Sequence, residues 1–153
     1  MLFATWRNAG IKERVRNLDY VRKYTNNTLG LWCHEADSPF PKFSLSAARN
    51  NAVAQAKAAG ASVVVIQDAD VLIDPQALVD AVALAREGKI VLPYDLVRYL
   101  IPYHTNLILR GKIKPQNAQD LGAFDWSLGG AYVTTVETWE YVGGQDERFA
   151  GWG

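Results

Sequence analysis

Two carboxylates one residue apart, Asp68 and Asp70, follow a run of four β-branched residues, Val63-Val64-Val65-Ile66. In extended chain alternate side chains share a face, so this spacing offers both carboxylates to one hard divalent cation. Such an ion would in turn bridge phosphates. The plainer alternative is a solvated turn leading to a helix cap at Asp74. A second group of interest is Arg49, set in Ala48-Arg49-Asn50-Asn51-Ala52; its plainer role is a surface charge on an amphipathic helix. A third is the acidic pair Asp146-Glu147 behind Gly143-Gly144, which could also be no more than a charged turn. Glu35 and Asp37 are open to either ligand recognition or loop solvation. His34 and His104 read as satisfied loop residues before they read as ligands.

The elements that position these groups follow from patterning. A β-branched run without alternation is the mark of a strand buried on both faces, as in a parallel sheet. The Asp68-Asp70 pair then falls at the strand's C-terminal end, where open α/β sheets collect their ligands. Leu2 to Trp6 reads as a first strand. A helix follows with Ile11, Val15, Leu18 and Val21 on one stripe, closed by a turn at Asn26-Asn27. Leu29-Gly30-Leu31-Trp32-Cys33 reads as a second strand, running out into His34-Glu35-Ala36-Asp37. Ser44 or Ser46 caps the next helix, built on Leu45, Ala48, Ala52 and Val53 and stopped by Gly60. Asp74-Pro75 opens another helix, which closes at Gly88, and residues 89–94 form a fourth strand. Alternating strand and helix is the sequence form of a parallel α/β sheet. Between Asp95 and Trp126 the alternation fails, apart from a helix within 96–109, and a segment this long is expected to act as a functional loop or lid. A strand over 131–136 and a short helix over 137–141, ending at Gly143-Gly144, complete the chain.

Composition sets the class. The 153 residues suffice for one domain with a single core, and 49% hydrophobic with 21% charged residues excludes a disordered chain. Sixteen basic residues balance sixteen acidic ones, so nucleic acid is not an expected partner and any anion site is local. Cys33 is the sole cysteine, which excludes an internal disulfide framework and points to a reducing, cytoplasmic setting. No run is long enough for a membrane span. Most of the five tryptophans are expected in the core; Trp126 and Trp152, each beside glycine or at a strand edge, are expected instead to stack on a sugar face.

Taken together, Ala48-Arg49-Asn50-Asn51-Ala52, Gln67-Asp68-Ala69-Asp70 and the closing Val142-Gly143-Gly144-Gln145-Asp146-Glu147-Arg148-Phe149-Ala150-Gly151-Trp152-Gly153 resemble the nucleotide-sugar-dependent glycosyltransferases of the GT-A fold. The last stretch is the most specific. It is similar to the C-terminal motif of galactosyltransferases and polypeptide N-acetylgalactosaminyltransferases, where Gly-Gly-x-Asp-Glu-x-Phe leads into Gly-Trp-Gly. The resemblance implies a single α/β domain with a Rossmann-like, mostly parallel sheet, residues 1–94 forming a nucleotide-binding half and 95–153 an acceptor-side half. It implies transfer of a hexose or N-acetylhexosamine from a UDP-sugar to a hydroxyl of a glycan, protein or small molecule, with Mn²⁺ or Mg²⁺ on the donor diphosphate.

Carried over by position, Asp70 is then the principal metal ligand and Asp68 contacts the ribose or the same ion. Thr5, Arg7 and either Glu35 or Asp37 hold the base and ribose. Arg49 meets the nucleotide or diphosphate, with Asn50 supporting the turn. Gly129 and Gly130 form a platform beside the donor sugar, and Trp126, Asp146, Glu147 and Trp152 line the donor-sugar and acceptor side. Related transferases continue past Gly-Trp-Gly with an acidic general base and a further metal ligand, commonly His. The expectation is therefore a chain truncated within its motif, with the base beyond Gly153 and Asp146 or Glu147 as candidates inside it. Homo-oligomers could form through a patch left by the missing part. The rival readings are a nucleotide-sugar-binding module of weak or no activity and, with less support, a sugar nucleotidyltransferase, against which stands the lack of a Gly-rich basic N-terminal loop.

Overall fold

The computed structural model describes residues 1–7, 10–125, 127, 129–149 and 151. The chain forms two compact units, one made of Met1–Pro93 with Gly130–Gly153 and the other of Tyr94–Gly129. Residues 130–151 therefore belong with the first 93 rather than with the segment between. No described helix is long and apolar enough to cross a membrane.

The larger unit is α/β, with helices flanking a mixed four-stranded sheet. Its elements are β1 (Leu2–Thr5), α1 (Lys12–Leu29), β2 (Cys33–Ala36), α2 (Leu45–Ala58), β3 (Val63–Asp68) and α3 (Pro75–Ala85). In the smaller unit, β4 (Val97–Leu100) and β5 (Asp120–Phe124) form an antiparallel pair, with α4 (Pro102–Leu109) and a short 3-10 turn at Pro115–Asn117 between them. The chain then returns to the larger unit as β6 (Ala131–Thr135) and α5 (Val136–Tyr141). The sheet order is β2-β1-β3-β6, with β1 parallel to β2 and β3, and β6 antiparallel to β3.

Loss of alternation in β3 has the expected cause. Val64 and Ile66 pack with Phe3, Ala52, Val53, Ala56, Val136 and Trp139 in one apolar cluster, while Val65 is buried on the other face. Helix α2 packs across β1, β2 and β3 and meets α5. Ser44 is its cap, its hydroxyl accepting from the Ala47 amide at 3.3 Å, and Asp74 caps α3 through the amides of Gln76 and Ala77.

Three expectations shift. Helix α1 runs through Asn26-Asn27 and stops at Gly30, whose φ of 64° closes the helix with an N–H to the Thr25 carbonyl. The missing Cβ, and not the asparagine pair, sets the stop. The second strand consequently starts at Cys33 instead of Leu29, which leaves Trp32 72% exposed rather than in the core and places Glu35 inside the strand. The fourth strand reduces to a bridge between Val91 and Val133, held by two 2.8 Å backbone hydrogen bonds.

Ile66 is fully buried at the centre of the cluster. Ile66→Ala is expected to lower the unfolding free energy by about 2–5 kcal/mol. Urea denaturation measures it, and a loss below about 1 kcal/mol would contradict a strand covered on both faces.

Candidate functional site

The C-terminal ends of β1 and β3 lie side by side, Thr5 opposite Asp68. Strand β3 ends at Asp68. The chain turns through Ala69 and Asp70, closed by the Val71 amide donating to the Asp68 carbonyl at 3.1 Å. The two carboxylates thus flank the first half of a tight turn rather than sharing one strand face, a correction to the extended geometry expected from their spacing. The turn is pinned from below: Gln67 Nε2 donates to the Val71 carbonyl at 3.2 Å, and Tyr24 of α1 donates its hydroxyl to the Ile73 carbonyl at 2.8 Å. Asp70 is exposed and Asp68 only partly so.

Asp68 is the electrostatic centre. Its Oδ1 accepts from Arg49 Nη2 at 3.1 Å and from the Thr5 hydroxyl at 3.3 Å. Arg49, 6% exposed, also sets its guanidinium 4.8 Å from the ring centroid of Tyr132 on β6. Burial raises the pKa of Asp68 above the ordinary carboxylate value; Arg49 opposes that shift and Asp70 adds to it. The surface-charge alternative for Arg49 is therefore wrong. It is a core cation.

Residues flanking Arg49 on α2 are equally committed. Asn50 accepts at Oδ1 from the Gln145 amide at 2.9 Å and from Trp139 Nε1 at 3.1 Å. Its Nδ2 donates to the Gln145 carbonyl and to Glu147 Oε1, both at 2.9 Å. Asn51 Nδ2 donates to the Asp37 carbonyl at 2.8 Å. At the helix start, Ser44 Oγ donates to the Phe149 carbonyl at 2.9 Å, and Gly151 exchanges backbone hydrogen bonds with Phe43 and Leu45. Three consecutive residues thus hold the β3 end, the 143–147 loop and the 37–41 loop. The sequence signal for Asn51 was a polar run inside an Ala-rich helix; Tyr132 had no signal beyond its strand.

Other expected ligand residues are occupied within the protein. Arg7 donates Nε to both oxygens of Asp37 at 3.0 Å, and its terminal nitrogens to the carbonyls of Ser38, Phe40 and Pro41 at 2.7 Å. The pair closes the 37–41 loop. Glu35 is held by Trp6 Nε1 on one oxygen and by Arg22 on the other. Asp146 is clasped by Arg148, which donates from its backbone amide, Nε and Nη2, and this pulls its pKa below the ordinary value. Gly130 accepts the Asp68 amide at 2.7 Å, beside the β3 end, whereas Gly129 belongs to the smaller unit and accepts from the Tyr94 hydroxyl. His104 lies on α4 rather than in a loop, and its Nδ1 accepts the Gln119 amide at 2.7 Å. Trp126 and Trp152 lie outside the described residues.

Among the described residues no group of three or more His, Cys, Asp or Glu side chains is arranged to hold a metal. A two-carboxylate site is the most that Asp68 and Asp70 can offer. An open depression of about 630 Å³ lies at the other end of β3, lined by Ser62, Thr135, Val136, Glu137, Glu140 and Tyr141, away from these groups. No protein-family model, characterised protein or solved structure matches the chain.

Arg49→Met leaves Asp68 without its cation, and the Asp68 side chain keeps 24% exposure. The expected loss is about 2–4 kcal/mol at neutral pH. Since the folded Asp68 holds its proton after the unfolded chain has released it, stability is highest below the unfolded value and falls as pH rises through the folded one. Removing Arg49 extends that fall to higher pH. Urea titrations between about pH 3.5 and 7 should show the gap between variant and parent widening with pH; a constant gap would contradict a charge pair at this position.

Proposed function

We propose that the larger unit is a metal-dependent glycosyltransferase domain of GT-A type that binds a UDP-sugar at the C-terminal ends of β1 and β3. The observation that carries this reading is the Asp68-Ala69-Asp70 turn, which sets Asp68 against Thr5 at the tips of two parallel strands and exposes Asp70 two residues on. Ligands of open α/β sheets gather at that edge. Hard carboxylate oxygens suit Mg²⁺ or Mn²⁺, which take few protein ligands when phosphate oxygens and water complete the shell.

The like-charge push of Asp70 on Asp68 favours a cation between them. Asp68 and Asp70 would hold it, and once bound the ion neutralises charge gathering on a departing nucleoside diphosphate. Arg49 keeps Asp68 oriented from beneath, and Thr5 fixes the same oxygen from the neighbouring strand. The docked 143–151 segment, tied to the start and middle of α2, supports the same reading, since its sequence is what most resembles transferases of this class. The acceptor is a hydroxyl of a glycan, protein or small molecule.

Calorimetric titration with UDP and GDP, each with and without Mn²⁺, tests the site. Metal-dependent binding of UDP, lost in Asp70→Ala, is the expected result. Equal binding of UDP by the parent and the variant, or no binding with the metal present, would contradict it.

A further inference from the structure

The two carboxylates in the 143–147 loop are both at the surface but differ in how far their oxygens are already bonded. Asp146 spends its oxygens on Arg148 within its own turn, and the resulting shift makes it a poor proton acceptor. Glu147 is exposed, and among the described residues its Oε1 takes a single hydrogen bond, from Asn50. The same asparagine fixes the loop backbone through both the amide and the carbonyl of Gln145, and its Oδ1 is shared with the buried Trp139 indole. Space around it is full. A Cβ on Gly144 would lie 2.7 Å from Asn50 Oδ1, and the φ of +68° at that glycine already disfavours any side chain. Three of the four described hydrogen bonds of the amide are therefore directed at one loop, and among the described residues its one side-chain carboxylate partner is Glu147.

We propose that Asn50 is the positioning residue for Glu147, holding it as the group that takes the acceptor proton; this rests on the glycosyl-transfer reading above. In that step the acceptor O–H proton passes to the free oxygen of Glu147 as the acceptor oxygen bonds C1 of the sugar. The C1–O bond to the diphosphate breaks, and its electron pair leaves on UDP. Arg49 and Asn50 leave α2 about 100° apart. One helix thereby sets both the carboxylate of the donor end and the carboxylate of the acceptor end.

The test measures UDP release from UDP-galactose and from UDP-N-acetylglucosamine with Mn²⁺, water serving as acceptor, alongside calorimetric affinity for UDP with Mn²⁺. The variants are Asn50→Ala, Asn50→Asp, Glu147→Gln and the double variant Asn50→Asp with Glu147→Gln. Asn50→Asp keeps both acceptor bonds, to Trp139 and Gln145, so the loop stays docked; it loses the donors and turns a like charge on Glu147. Both Asn50 variants and Glu147→Gln should lower kcat by about 10- to 100-fold with KM and UDP affinity within about twofold of the parent. The double variant should fall no further than Glu147→Gln alone. Parent-like kcat in Asn50→Asp or in Glu147→Gln, or additive losses in the double variant, would overturn the proposal. Metal-dependent UDP binding without UDP release by the parent chain would also overturn it while leaving the donor site intact. Absence of UDP binding would mark failure of the donor-site reading itself.

Discussion

The buried Arg49 guanidinium on Asp68 is the contact on which the rest of the larger unit depends. A cation this deep is tolerated only with a partner, and its partner is the last residue of the central strand. That pairing fixes the rotation of α2 over the sheet. With α2 fixed, Asn50 and Asn51 are aimed at the 143–147 loop and at the loop after β2, while the helix start at Phe43–Leu45 receives Phe149 and Gly151. Segments distant in sequence are thus gathered on the first half of one helix. The apolar layer beneath, from Phe3, Val64 and Ile66 to Val53 and Trp139, supplies cohesion but not this specificity.

A consequence is a division between polar groups that build and polar groups left to act. Arg7, Asp37, Glu35, Arg22 and Asp146 are consumed in closing loops. Asp70 stands exposed in its turn, and among the described residues Glu147 is held by one bond at one oxygen. Residue types that suggest recognition in sequence are in this protein largely scaffolding.

How far the sequence carried can be judged element by element. β3, α2 with its Ser44 cap, and α3 with its Asp74-Pro75 start were legible because local signals and tertiary packing agree there. The end of α1 was misjudged because Asn26-Asn27 resembles a turn, while the glycine three residues on supplies the left-handed conformation that stops a helix. That error moved the second strand and turned Glu35 from a loop residue into a strand residue tied to Trp6 and Arg22. Asp68 and Arg49 stood out in the sequence as candidate ligands of a metal and a nucleotide. Their pairing did not, since nothing local reports that residues 19 apart in sequence meet in a core. Strand 89–94 failed for a similar reason: a β-branched, apolar stretch predicts strand, but its strand pairing among the described residues is the single bridge at Val91.

The central claim is the location of a cation and nucleotide site at the tips of β1 and β3. Paramagnetic broadening of assigned backbone amides by substoichiometric Mn²⁺, with UDP present, reads that location directly. The account predicts selective loss of signal at Thr5 and at residues 68–71, with residues lining the depression at the other end of β3, Ser62, Glu137 and Glu140, unaffected. Broadening centred on that other end, or none at the β3 tip, would contradict it.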